Sequence, residues 1–293
     1  MKDYLDRLIE LALDEDLGAA GDVTSNALVP PQAMGSGELV AKEQLVLAGI
    51  DAFTRVFHHV DPEVRVEPLR RDGEELKPKV VAARVSGRLR SLLAAERTAL
   101  NIVQRMSGIA TLSQQAMTAV RGSKLKVLDT RKTPPGMRSL SKEAVRLGGA
   151  SNHRFGLFDG ILIKDNHIAA VGGSITEALS RARQNAPRLV KIEIEVTSLK
   201  QLVEAIDGGA DVVMLDNMDD AQIRKAVEIT AGRVPLEVSG GVTLERLSRL
   251  SKLGVDFVSM GSLTHSARAM DLSLEIATTR GSKRTRASKE PKA

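Results

Sequence analysis

The chain has 293 residues, 42% hydrophobic and 27% charged, enough for one large domain or two with a sizeable core. It has no cysteine, which excludes disulfides, zinc–thiolate and iron–sulfur sites and a cysteine nucleophile, and fits a reducing cytoplasm. The formal charge of +5 sits at one end: residues 280–293 hold six basic side chains and one acidic, so residues 1–279 are neutral overall and the charge is no global nucleic-acid footprint.

From the N-terminus, Leu5, Leu8, Ile9 and Leu11 fall at helical spacing within residues 3–13. This start is acidic and lacks a signal peptide's basic end, apolar stretch and cleavage site. EDLGAAGDVTS follows, in which Asp22 to Ser25 read as a helix-start or turn motif with a structural use. Strand-like runs at 36–42, 63–69 and 79–87, with the helical stretch IDAFTRVFHHV between the first two, predict an α+β domain. A long helical region from Ser91 to Val120, expected to be interrupted near Gly108, crosses to the second half.

Beyond Gly122, apolar runs at 126–129, 160–164, 190–196, 212–216, 235–240 and 255–261 alternate with helical stretches such as 176–185, 198–207, 219–231 and 243–252. Alternation rich in Val, Ile and Leu predicts a parallel sheet. Pattern alone leaves a doubly wound sheet and a (β/α) barrel open. Position favours the barrel. Polar residues stand at the C-terminal end of each run: Arg131 and Lys132, Lys164, Glu195, Asp216, Ser239 with Gly240 and Gly241, and Gly261 with Ser262. A barrel gathers such ends on one face, whereas an open sheet spreads them along a line. No apolar run of about 18 residues points to a transmembrane helix. The 280–293 tail reads as a solvated, disordered terminus. Aromatic residues, 2% of the chain, offer few platforms for stacking bases.

Residues 128–168 crowd Arg131, Lys132, Arg138, His153, Arg154, Lys164 and His167 around two short apolar runs. Such cations are expensive to bury unless an anion meets them, so the segment predicts a pocket for a ligand with several negative charges. The glycines of VSGG (238–241) and SMGS (259–262) suit either a phosphate or an ordinary strand–helix turn. Glu195 and Asp216 end neighbouring runs, and carboxylates so placed gather a cation, raise a pKa, or pair with Lys132 and Lys164. Glu193 rivals Glu195, because period-two alternation puts both on one face.

DTRKT, HR and KDNH in this segment, with EDLGAAGDVTS, ERTALN (96–101), EIEV (193–196), MLDN (214–217), VSGG and SMGSLTHS (259–266), resemble the quinolinate phosphoribosyltransferases, the decarboxylating nicotinate-nucleotide pyrophosphorylases of NAD biosynthesis. The resemblance implies an α/β fold. An N-terminal α+β open sandwich domain would span 1–108, with 269–279 packing back on it, and an incomplete parallel (β/α) TIM-like barrel would span 109–268. It implies conversion of quinolinate and 5-phosphoribosyl 1-diphosphate, with Mg²⁺, to nicotinate mononucleotide, diphosphate and CO₂. Quinolinate would meet Arg97, Arg131, His153, Arg154 and Lys164. Phosphoribosyl diphosphate would meet Lys132, Glu195, Asp216, Ser239, Gly240, Gly241, Gly261 and Ser262. Glu195 and Asp216 would serve the metal, directly or through water. The chemistry would fall to Lys132, Lys164, Glu195 and Asp216, with Arg138 and His167 in support. Arg97 would reach the active site of a partner subunit, which implies a homodimer or a multiple of it. The GAAGD turn departs from the family's tighter glycine turn, and the basic tail is not typical of it. Two other readings are a related phosphoribosyltransferase-like paralogue with another substrate, and nucleic-acid binding through the tail. Retention of Arg97, Arg131, His153, Arg154 and Lys164 argues against the first, and the second rests on the tail alone.

Overall fold

The computed structural model describes residues 4–278, so the expectation for the 280–293 tail lies outside the described residues. The chain begins with α1 (Tyr4–Leu17), α2 (Val23–Leu28), β1 (Met34–Ala41), β2 (Leu45–Val46), α3 (Ile50–Val60), β3 (Arg65–Pro68), β4 (Glu75–Leu76), β5 (Val81–Arg88) and α4 (Leu89–Ala119). Asp22 caps α2 by accepting the Ser25 amide at 3.0 Å, so DVTS does start a helix. β1 and β5 alternate buried and exposed residues along much of their length, the mark of a sheet with one face on a core. α3 turns Phe53, Val56 and Phe57 inward, and it packs on α4.

The second half runs β6 (Lys126–Leu128), α5 (Arg138–Leu147), β7 (Ile161–Ile163), α6 (Asp165–Ala170), α7 (Ile175–Asn185), β8 (Ile192–Val196), α8 (Leu199–Asp207), β9 (Val212–Asp216), α9 (Asp220–Thr230), β10 (Leu236–Ser239), α10 (Leu244–Leu250), β11 (Phe257–Ser259), α11 (Ser262–His265) and β12 (Leu272–Thr278). Six strands form one parallel sheet in the order β6-β11-β10-β9-β8-β7. The 151–154 segment lies past its β6 edge, where Ser151 bridges Leu128 in parallel. The sheet is thus an open α/β barrel. β12 returns to the first half and pairs antiparallel with β1, giving the sheet order β12-β1-β5-β3.

The expected interruption near Gly108 is absent. α4 is one helix of 31 residues, roughly 46 Å long at 1.5 Å per residue. A Cβ on Gly108 would lie 1.8 Å from the Arg268 carbonyl oxygen, and one on Gly148 would lie 2.3 Å from that of Ala110. Gly108 lets a neighbouring backbone approach; it does not break the helix. Helical hydrogen bonding continues through it because the flanking residues, Met106, Ile109 and Ala110, are all buried in the core.

Candidate active site

A cavity of about 340 Å³ opens at the C-terminal ends of the parallel strands, lined by Thr130, Arg131, Lys132, His153, Arg154, Leu162, Lys164, Met214, Ser239 and Ser259. Strand periodicity explains the lining. On β9, β10 and β11, Met214, Ser239 and Ser259 point in at the mouth, while Val212, Glu237 and Phe257 point in two residues earlier. That deeper layer, with Glu193, lines a second cavity of about 330 Å³. His153 and Arg154 border both. The mouth cavity is lined by four cations, Arg131, Lys132, Arg154 and Lys164, and by no carboxylate. A larger hollow of about 1170 Å³ lies on the first sheet, but its charges are of both signs, with Arg84 and Glu38 paired at 3.0 Å. Of these two, the barrel cavity has the one-signed lining that an anion requires, and it gathers four cations.

A buried ion pair builds its floor. Asp129, just past β6, accepts from Lys142 Nζ on α5 at 2.5 Å, from Asn152 Nδ2 at 2.6 Å and from the His153 amide at 2.9 Å. Lys142 also donates to the His153 carbonyl at 2.9 Å. His153 is therefore held by its amide and its carbonyl at once. Burial pushes the Asp129 pKa up, and Lys142 opposes that as the largest counterweight. Asp129 opens the DTRKT motif, but its pairing was not visible in the sequence, because an Asp and a Lys thirteen positions apart give no local signal.

Each cation has a defined posture. Arg154 Nη1 donates to the Gly160 carbonyl at 2.7 Å. Burial lowers its pKa and the charge of Arg131 lowers it further, which marks a pair of cations short of negative charge. Lys164 Nζ bonds Glu195 at 2.5 Å, and its backbone amide donates to His167 Nδ1 at 2.9 Å, so His167 caps α6. Arg138 bonds Thr133 Oγ1 at 3.2 Å and the carbonyls of Phe155 and Arg131, so it braces the loop. Asp216 accepts from Asn217 Nδ2 at 2.8 Å. Arg97 is exposed on α4 and does not line this cavity.

The glycine loops interlock. Asn217, Gly240 and Gly241 all have positive φ, at 53°, 99° and 55°. A Cβ on Gly240 would lie 2.1 Å from Asn217 Oδ1, so only glycine fits beside the residue that follows Asp216. Thr264 Oγ1 donates to the Lys132 carbonyl at 2.7 Å, and Arg105 on α4 donates to the carbonyls of Thr264 and Ala267. The Lys132 loop is thereby tied to the loop bearing Gly261 and Ser262. Ser262 Oγ is buried with no hydrogen-bond partner.

The deeper layer joins His153, expected to meet quinolinate, and Glu193, the rival to Glu195, with Glu237, which the sequence reading left unused. His153 Nε2 lies 3.0 Å from Glu193 and 3.7 Å from Glu237. The Arg154 amide donates to His153 Nδ1 at 2.7 Å. Burial lowers the imidazole's proton affinity, but the two carboxyl groups outweigh it and raise the pKa. The Arg154 amide needs the Nδ1 lone pair, so the single ring proton belongs on Nε2, facing Glu193. Both ring nitrogens are therefore engaged within the protein, and His153 offers no free N–H to the mouth cavity. Burial, then the charge of Glu193, pushes Glu237 up to about 8. Glu237 was visible as an acidic residue inside the apolar run PLEVSG, in phase with Ser239.

Comparison with known proteins agrees with this geometry. The family description "Quinolinate phosphoribosyl transferase, N-terminal domain" matches residues 22–107, and the corresponding C-terminal domain matches 109–275. The chain is 43% identical over 272 residues to a probable nicotinate-nucleotide pyrophosphorylase [carboxylating] of Bacillus subtilis, covering 93% of each chain. It is 40% identical over 291 residues to a chloroplastic nicotinate-nucleotide pyrophosphorylase [carboxylating] of Arabidopsis thaliana, covering 94% of this chain and 83% of the other. The crystal structure of NadC from Streptococcus pyogenes superposes with a TM-score of 0.90 at 41% identity, covering 96% of this chain and all of the other. Matched along nearly its whole described length, this chain belongs to the quinolinate phosphoribosyltransferase family.

Proposed function

We propose that this chain is a pentosyltransferase of de novo NAD biosynthesis, converting quinolinate and 5-phosphoribosyl 1-diphosphate to nicotinate mononucleotide, diphosphate and CO₂. The carrying observation is the mouth cavity, with four cations and no carboxylate in its lining, in a chain of this family. Quinolinate has two adjacent carboxylates. Arg131, Arg154 and Lys164 supply cationic donors in the cavity lining, and a planar guanidinium matches a carboxylate with two hydrogen bonds. Lys132 faces the other substrate, beside the loops of Ser239, Gly240, Gly241, Gly261 and Ser262. The Ser262 hydroxyl on that loop is buried and has no hydrogen-bond partner.

The residues present fit Mg²⁺. Glu195 and Asp216 are hard oxygen donors at the ends of adjacent strands, and among the described residues they join no third carboxylate or histidine. An ion held by these two, directly or through water, would take its other ligands from the diphosphate and water, as Mg²⁺ prefers. When bound, it supplies charge stabilisation to the departing diphosphate. Lys132 and Lys164 add to that stabilisation while the ribose C1 develops positive charge. The pyridine nitrogen bonds C1 as the C1–oxygen bond breaks, its electron pair leaving with diphosphate. The ring, now cationic at nitrogen, takes the electron pair of the breaking bond to the adjacent carboxylate. CO₂ leaves and a proton replaces it. The protein's part is positioning and electrostatics, and no covalent nucleophile is needed.

The active unit in this reading is a homodimer or a multiple of it, with Arg97 serving the partner's site. Its support is the exposure of Arg97 and of three apolar side chains next to Arg154: Phe155, Leu157 and Phe158 are 40%, 71% and 78% exposed. No described helix is long and apolar enough to cross a membrane. A cytoplasmic setting is part of the same proposal, supported by the lack of cysteine.

The test is one assay: purified protein, both substrates and Mg²⁺, with detection of nicotinate mononucleotide. Nicotinate in place of quinolinate leaves a cation unmatched. One charge-assisted hydrogen bond contributes about 1.5–3 kcal/mol, so kcat/KM should fall roughly tenfold or more. No product, or equal kcat/KM for the two acids, overturns the reading.

A further inference from the structure

The mouth-cavity residues leave one buried acid without a task. Glu237 is 2% exposed, points into the barrel beneath the cavity, and has one carboxyl oxygen with no partner. An acid so placed on a strand inside a barrel is expensive to keep unless it does something for its neighbours. Those neighbours form a chain. Glu237 lies against Glu193, Glu193 accepts from His153 Nε2 at 3.0 Å, and His153 Nδ1 accepts the Arg154 amide at 2.7 Å. The chain runs from the barrel interior to the backbone of an arginine that lines the cavity.

We propose that Glu237 is a positioning residue for the dicarboxylate side of the cavity, holding a proton against Glu193 so that Glu193 can fix the His153 ring and, through it, the Arg154 backbone. The proposal rests on the assignment of quinolinate to Arg154. It concerns a residue that touches neither substrate.

The charges around the chain support a single shared proton. Glu193 on β8 and Glu237 on β10 face His153 from two sides, and the His153, Glu193 and Glu237 ligand atoms lie within 4.8 Å of one another. Two ionised carboxylates so close in a low-dielectric interior repel strongly, so one retains a proton. Burial and the charge of Glu193 push Glu237 up to about 8, which makes it the holder at neutral pH, and Ser259 bonds its carboxyl group. Lys142 on α5 is already committed to Asp129 and the His153 carbonyl. Arg131 and Lys164 stand above in the mouth cavity, and Lys191 and Asp159 line the cavity below. The same three ligand atoms could instead surround a cation, a reading the experiment decides.

The experiment compares wild type, Glu237→Gln and Glu237→Leu as full-length protein. Glutamine reproduces the shape and hydrogen bonding of the protonated acid, and leucine removes both. Glu237→Leu should raise the quinolinate KM by about tenfold, the effect of one hydrogen bond to a charged group. The phosphoribosyl diphosphate KM should change less than about twofold, and circular dichroism should be unaltered. Glu237→Gln should restore the quinolinate KM at pH 7. It should also remove the rise in that KM that wild type shows as pH passes about 8. A second readout needs no substrate. In ¹⁵N-histidine-labelled protein, His153 should show a bare Nδ1 and a protonated Nε2, with shifts that move near pH 8 in wild type and stay fixed in Glu237→Gln. If wild type does not use quinolinate, the functional assignment fails while this readout still decides the hydrogen-bonded chain. The proposal is overturned if leucine leaves the quinolinate KM unchanged, if glutamine is as damaging as leucine, if both KM values rise together, or if His153 does not sense Glu237. It is equally overturned by a stoichiometric metal ion in the purified protein that Glu237→Gln releases.

Discussion

Replacing Lys142 by Met tests whether the buried pair builds the cavity floor. Lys142 and Asp129 side chains are 4% and 0% exposed, so solvent screens neither. The substitution removes the ammonium and keeps much of its apolar volume. It leaves the Asp129 carboxyl with Asn152 Nδ2 at 2.6 Å and the His153 amide at 2.9 Å. Breaking a buried pair from one side costs about 3–5 kcal/mol. Asp129→Asn should cost a similar amount by stranding the ammonium on the His153 carbonyl. The double variant strands no charge, so its loss should fall short of the sum of the singles by roughly 0.5–3 kcal/mol. Burial already raises the Asp129 pKa, and loss of Lys142 removes the largest opposing influence. In Lys142→Met the native state should therefore take up a proton that the unfolded chain releases. The variant's deficit should shrink as pH falls from 8 towards 5 and grow as pH rises. Urea unfolding followed by circular dichroism at several pH values measures this, and steady-state kinetics should show the quinolinate KM rising more than that of phosphoribosyl diphosphate. Single variants within about 1 kcal/mol of wild type, the size of an exposed pair, would refute the reasoning, and so would strict additivity in the double.

Gly108→Ala should destabilise by about 1–3 kcal/mol through overpacking, because its Cβ would lie 1.8 Å from the Arg268 carbonyl oxygen; a rise in Tm, as helix propensity alone predicts, would contradict that reading. Glu237→Gln should alter the pH dependence of stability. The native Glu237 holds its proton up to about 8, while the unfolded chain loses it near the usual carboxyl value of 4.5. Wild type should therefore lose stability from this group as pH rises between those values, a loss that the variant lacks; parallel curves would count against it. Mixing the inactive Arg97→Ala and Lys164→Ala proteins should restore roughly a quarter of wild-type activity once subunits exchange at random. Activity that stays at the level of the single variants after proven exchange would mean that Arg97 does not act in trans.

The fold was legible where side-chain period decides structure. The strand runs beyond Gly122 all became barrel strands, trimmed by a residue or more in most cases, because a buried parallel strand is a short apolar run that few other structures explain. Gly108 misled for a physical reason. Glycine breaks helices in isolation through backbone entropy, yet here the deciding factor is a carbonyl 160 residues away in sequence, at Arg268. No local window contains that contact. The same holds for the Asp129–Lys142 pair, whose members lie on different elements and meet only because α5 packs over the end of β6.

The cations of the site were legible as a group, since crowded positive charge beside apolar runs requires an anion. Their partners were not. Glu193 and Glu195 share a face of β8, and strand direction puts Glu195 nearer the mouth, but it does not say what each one meets. Glu195 meets Lys164, which lines the mouth cavity, and Glu193 meets His153 below. This ordering matters for the chemistry. Arg154 is disfavoured as a cation by burial and by Arg131, and the charge of Glu193 partly offsets that. A carboxylate at the mouth in place of Glu193 would neutralise Arg154 but compete for it with the quinolinate proposed to bind there. A second full negative charge at Glu237 would draw the arginine down. In the proposed arrangement a single negative charge, shared one layer deeper, steadies Arg154 without placing a carboxylate in the lining of the mouth cavity.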